Sequence, residues 1–124
     1  MRALKVPVIV VCGHTDCGVM KALLRPEQVA DMPGVQKWMS HAFEAREQML
    51  REFGDAPEEE QLRRMTEFNV LGQIENLKTH PSVSARLLRG RLRFADGCMT
   101  SETDRSARPI QRAGGSSCWG GVRE

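Results

Sequence analysis

Seven residues near the amino end, Cys12-Gly13-His14-Thr15-Asp16-Cys17-Gly18, carry side chains suited to metal chemistry. Imidazole and thiolate are both good zinc ligands, and two intervening residues let His14 and Cys17 face one ion across a tight turn. Gly13 and Gly18 would let the backbone fold closely around it. Asp16, between the two, is placed either to hydrogen-bond a ligand from outside the coordination sphere or to stand as a solvated turn carboxylate. The spacing alone fits a buried thiol beside a hydrogen-bonded histidine just as well. A phosphate loop is excluded. Gly13-x4-Gly18 opens like one, but Val19-Met20 follow where Lys and Ser or Thr are required, and Lys21 comes too late.

The elements that must position this motif follow from hydrophobic patterning. Val6 to Cys12 is a β-branched run ended by Gly13, which predicts a strand buried on both faces, with Pro7 at its start. Asp16 to Leu24 predicts a short helix stopped before Pro26. Val35, Trp38, Met39, Ala42, Ala45, Met49 and Phe53 fall on one stripe of an amphipathic helix that Gly54 closes. Asp55-Ala56-Pro57-Glu58-Glu59 is a helix start, with Pro and acids in the first turn. The next stripe is Leu62, Met65, Phe68, Leu71, Ile74 and Leu77, ending near His80-Pro81. Ser82 to Leu88 predicts one more short helix, stopped by Gly90. The fold class is therefore α/β: an incomplete layer with one buried parallel-type strand, at about residues 6–12, and several helices.

From about Phe94 the apolar periodicity stops and Gly, Ser, Arg and Thr accumulate. This divides the chain into residues 1–93 and a disordered or irregular tail at 94–124. With 124 residues the chain is one domain at most, or a piece of one. A net charge of +2, with both signs interleaved, argues against a nucleic-acid partner. No apolar run approaches the roughly 20 residues of a membrane span, and no secretory signal is evident, so a cytoplasmic setting is expected. Cys12, Cys17, Cys98 and Cys118 then read as metal ligands or free thiols rather than disulfides.

Two separate stretches resemble β-class carbonic anhydrases. Val10 to Gly18, followed by Met20-Lys21-Ala22-Leu23, is similar to the family's second zinc-ligand motif. Asn69-Val70-Leu71, Gln73, Glu75-Asn76-Leu77, Thr79-His80-Pro81-Ser82-Val83 and Ala85-Arg86-Leu87 look like its long helix and the Thr-His-Pro turn beyond. The resemblance covers about Ala3 to Leu92. It implies an α/β fold that associates through helices, either as a homo-oligomer or as an aggregate. It also implies carbon dioxide and bicarbonate as substrates, and Zn2+ held by two cysteines and one histidine. His14 and Cys17 are then two of the three permanent ligands. Zinc in such a site lowers the pKa of bound water to about 7, giving hydroxide to attack carbon dioxide.

The family's first motif, Cys-x-Asp-x-Arg, supplies the remaining cysteine, and it does not occur in these 124 residues. The chain is thus expected to be a truncated member, with an incomplete metal site and little or no activity by itself. The alternative is a non-catalytic helical association fragment that keeps the dimer-forming elements. A structural zinc site using Cys98 or Cys118 is a third option. The tail suggests its own origin. The codons allowed for Ala95 to Thr100, read two bases later, include Gly-Trp-Val-Tyr-Asp, which resembles the strand the family carries there. A frame slip near Arg93 or Phe94 is therefore expected.

Overall fold

The computed structural model describes residues 6–99 and 119–123, with 98, 99 and 119–123 described as backbone. In chain order the elements are β1 (Val8–His14), α1 (Gly18–Leu24), α2 (Pro33–Met39), α3 (Phe43–Phe53), α4 (Glu58–Lys78), α5 (Pro81–Leu87), β2 (Arg93–Met99) and β3 (Trp119–Arg123). Short 3₁₀ turns at Pro26–Val29 and Ser40–Ala42 join the early helices.

The sheet has the order β1-β2-β3. β1 and β2 run parallel, with Ile9 opposite Phe94 and Gly13 opposite Cys98, and β3 lies antiparallel on β2. The neighbour that β1 needs therefore comes from Arg93–Met99, a stretch whose pattern predicts no strand. Phe94-Ala95-Asp96-Gly97 lacks both alternation and β-branched residues. Its pairing rests on backbone groups, and Phe94, only 1% exposed, anchors it in the core. Residues 94–99 thus belong to the sheet rather than to an irregular tail, while residues 100–118 lie outside the described residues. Cys98 stands in a strand, in register with Gly13, and Cys118 is outside the described set.

α4 is the spine. Its 21 residues span about 30 Å at 1.5 Å per residue and serve two cores. Its first half meets Met20, Leu23, Met39, Ala42, Ala45 and Met49 through Met65. Its second half brings Val70 and Ile74 to Val83, Leu92 and Phe94. The residues it buries are Met65, Thr66, Val70 and Ile74, not the whole expected stripe. A strict three-residue step rotates 300° each time and drifts around the helix, whereas steps of four hold one face. The buried Thr66 hydroxyl is satisfied, donating to the Leu62 carbonyl at 2.9 Å.

One expected helix is two. The stripe from Val35 to Phe53 breaks at Ser40–Ala42, and Ala42 has φ −118°, ψ 3°. The His41 carbonyl accepts instead from Gln73 Nε2 of α4 at 3.1 Å, so a tertiary bond takes the place of a helical one. The other boundaries agree closely with the sequence signals. Gly90 adopts φ +61°. Its amide donates to Leu87 O and that of Arg91 to Arg86 O, at 2.9 and 3.0 Å, closing α5 with the paired bonds of a left-handed cap.

The first turn of α4 holds Glu58, Glu59 and Glu60, favourable beside the positive end of the helix. Burial tends to raise the Glu60 carboxyl, but hydrogen bonds and charge from Arg64 and Arg63 outweigh it and hold it below the usual range. Arg64 Nε donates to Glu60 at 2.7 Å, and its guanidinium also lies 4.7 Å from the Phe53 ring centroid. A carboxyl depressed by folding stabilises above its unfolded pKa, and that contribution is lost as pH falls through the folded value. Glu60→Gln is therefore expected to cost about 0.5 kcal/mol at pH 7. The difference from wild type should vanish in urea titrations run well below pH 4.5. A deficit that persists unchanged there would show that the carboxylate charge is not the cause.

Candidate metal centre

β1 runs two residues further than its hydrophobic pattern, through Gly13 to His14, because β2 continues to pair with it up to the register of His14 and Met99. The expectation that β1 is buried on both faces fails. Exposure alternates along it, and Val10, Cys12 and His14 are exposed. α4 covers only the opposite face, through Gly13 and its neighbours.

Gly13 is where that cover comes closest. A Cβ there would lie 2.6 Å from Thr66 Cγ2 and 3.1 Å from Val70 Cγ2. The glycine thus lets the strand end press against α4, which fixes where His14 emerges. Thr66 and Val70 play this positioning part, and the apolar stripe read from the sequence includes neither; four-residue spacing on α4 is the signal that marks them. A Cβ at Gly18 would meet nothing within 4 Å, so close packing is required on one side of the motif only.

His14 is the last residue of β1 and is exposed. Its Nδ1 lies 2.8 Å from the Thr15 carbonyl. That bond requires the proton on Nδ1 and leaves Nε2 as the basic nitrogen, the tautomer a metal ligand uses. Asp16 turns the chain with φ +52°, a left-handed conformation that Asp tolerates better than most residues. Its carboxylate pairs with Lys21 Nζ of α1. Cys17 caps α1, half-buried against the core of Met20 and Leu23, with its thiol free. Cys12, also free, shares the exposed face of β1 with His14.

The donor types and the tautomer of His14 suit zinc, but the number does not. Among the described residues, no three His, Cys, Asp or Glu side chains gather where they could hold an ion. Catalytic zinc takes three protein ligands and structural zinc takes four. His14 and Cys17 by themselves are therefore not a complete site.

A family model described as carbonic anhydrase matches residues 1–105, beyond Leu92, the limit of the resemblance read from the sequence. The carbonic anhydrase of Synechococcus elongatus is 42% identical over 95 residues, 76% of this chain and 35% of that protein. That of Pseudomonas aeruginosa is 42% identical over 84 residues, covering 68% and 38%. The solved structure of the β-carbonic anhydrase CcaA superposes with a TM-score of 0.76 at 32% identity, over 82% of this chain and 46% of that one. The α/β fold is that of a β-class carbonic anhydrase. This chain belongs to the carbonic anhydrase family. It spans less than half the length of these relatives.

Proposed function

We propose that His14 and Cys17 are two of the zinc ligands of a β-carbonic anhydrase site, whose reaction is the reversible hydration of carbon dioxide to bicarbonate, a zinc-dependent lyase activity. The observation that carries this is local: an exposed histidine with Nε2 unbound and a free thiol three residues on, both at the carboxyl end of a parallel strand. Open α/β sheets bind ligands at that end. Asp16 is assigned the supporting place, with Lys21 holding its carboxylate at the turn. The cytoplasm is proposed as the compartment, where free thiols stay reduced. Among the described residues, no helix is long and apolar enough to cross a membrane.

Because no three His, Cys, Asp or Glu side chains gather among the described residues, the 124-residue polypeptide is expected to hydrate carbon dioxide no faster than buffer in a stopped-flow indicator assay. About one zinc per chain, with hydration abolished by His14→Ala or Cys17→Ser, would overturn that. The proposed frame slip has its own check: coding DNA that does not give Gly-Trp-Val-Tyr-Asp two bases past the Ala95 frame removes it.

A specific observation favours the second reading, a helical association fragment. Met32, Trp38, Phe43 and Leu50, from α2, α3 and the turn before them, are all more than a third exposed. A dimer that forms without metal and survives chelator is its signature.

A further inference from the structure

We propose that the corner formed by the end of α5 and the start of β2 binds an acidic peptide segment of a partner protein, laid out in extended form. The interleaving of charge along the chain stops at Glu75, and no carboxylate side chain follows until Asp96. Arg86, Arg89, Arg91 and Arg93 all fall in that interval. Arg86 is committed to the fold, donating to the Val6 carbonyl at 2.8 Å. Arg89, Arg91 and Arg93 are exposed, and among the described residues none of their guanidinium groups has a carboxylate partner. The proposal is independent of the motif at the end of β1. Arg93 is in register with Val8 and Met99 with His14, which puts the corner at the opposite end of the parallel pair, about 20 Å away at roughly 3.3 Å per residue.

The local geometry selects the ligand. Leu92 and Phe94 turn into the core, 4% and 1% exposed, so Arg91 and Arg93 both stand on the outer side. Alternate residues of an extended chain repeat at about 6.6 Å, which is also the repeat of carboxylates at alternate positions of an extended peptide. A guanidinium takes a carboxylate through two parallel hydrogen bonds, a geometry that suits arginine better than lysine. Gly90, at φ +61°, closes α5 and sets Leu88 and Arg89 one tight turn before the pair. Leu88 is 87% exposed, the most open large hydrophobic side chain among the described residues. It offers an apolar contact that a peptide side chain can cover and a free phosphate cannot. Single-stranded nucleic acid would call for exposed aromatic rings on which bases stack, whereas Phe94 is buried. A lipid surface would call for a whole apolar helix face rather than one leucine.

The test is fluorescence anisotropy of a fluorescein-labelled peptide, Leu-Ser-Glu-Ser-Glu-Ser-Glu, titrated with the purified 124-residue chain. Saturable binding is expected, and none for the same peptide with Gln in place of each Glu. Raising the ionic strength from about 0.1 M to about 1 M shortens the screening length from about 10 Å to about 3 Å and should weaken binding. Arg91→Glu combined with Arg93→Glu, both at exposed positions, should weaken it by at least about tenfold with the far-ultraviolet dichroism unchanged. Arg91→Gln alone, which adds no repulsion, should weaken it by about threefold and keeps the test open if the double reversal disturbs the fold. Leu88→Ser should cost about threefold as well. Lys37→Glu combined with Arg51→Glu makes the same change in net charge on exposed positions of α2 and α3 and should leave binding as it was. Absence of saturable binding overturns the proposal, as does binding that survives the reversal at Arg91 and Arg93 or falls equally with Lys37 and Arg51. Tighter uptake of a short single-stranded DNA or of phosphatidylserine vesicles than of the peptide also overturns it.

Discussion

Phe94→Ala is expected to destabilise the chain by about 3–5 kcal/mol, the usual cost of emptying a buried aromatic site. Phe94 is 1% exposed and packs with Val70, Ile74, Val83 and Leu92, while its register partner on β1 is Ile9. These residues come from α4, α5, β1 and the chain just before β2, so the ring joins the sheet to the helices. The backbone contributes less that is specific. Arg93 N donates to Pro7 O at 3.0 Å, and Arg86 reaches the Val6 carbonyl at 2.8 Å, which aligns the start of the pair but fills no volume. Small domains have only about 5–15 kcal/mol to lose, so the midpoint of urea unfolding should fall sharply at constant slope. A loss under about 1 kcal/mol would mean that β2 is not docked on α4 in solution. Among the β2 residues whose side chains are described, Phe94 is the one that enters the core, so it seats the strand that otherwise pairs through backbone groups.

Gly13→Ala is the second large effect, expected at about 1–3 kcal/mol as an overpacking strain. The new methyl would lie 2.6 Å from Thr66 Cγ2, closer than real side chains approach, so either the Thr66 side chain or the end of β1 must move. Thr66 is poorly placed to yield, since its hydroxyl is bound to Leu62 O in the preceding turn of α4. Removing only the offending methyl with Thr66→Ser should recover much of the loss. Recovery should stay incomplete because Val70 Cγ2 is still 3.1 Å away. A double-mutant cycle over Gly13→Ala and Thr66→Ser is therefore expected to show a coupling of about 1 kcal/mol or more. Additive effects would place the strand end away from α4. The same strain bears on the next residue, His14, at the end of β1.

The candidate site was legible in sequence because its signal is local. Cys12-Gly13-His14-Thr15-Asp16-Cys17 names its donor atoms and the glycine that lets them be packed, and the Asn69 to Leu87 stretch repeats the family pattern independently. Helix ends were legible for the same reason. Pro57 with Glu58 to Glu60, and Gly90 with φ +61°, act within a turn or two of their own position. The break at Ser40–Ala42 was not, since a bond from Gln73, 32 residues away, decides it.

The sequence by itself marked this chain as carbonic anhydrase-like and offered His14 and Cys17 as candidate zinc ligands. Those readings depend on residue types and short spacings. Tertiary structure alone decided the strand that β1 pairs with, the bare face it presents, and the number of donors that meet. Parallel pairing is made by backbone groups far apart in the chain and leaves no periodicity in a short strand anchored by one phenylalanine. Ligand number likewise depends on which distant side chains converge. Among the described residues no three His, Cys, Asp or Glu side chains gather to hold an ion, an outcome that no short spacing in the motif decides.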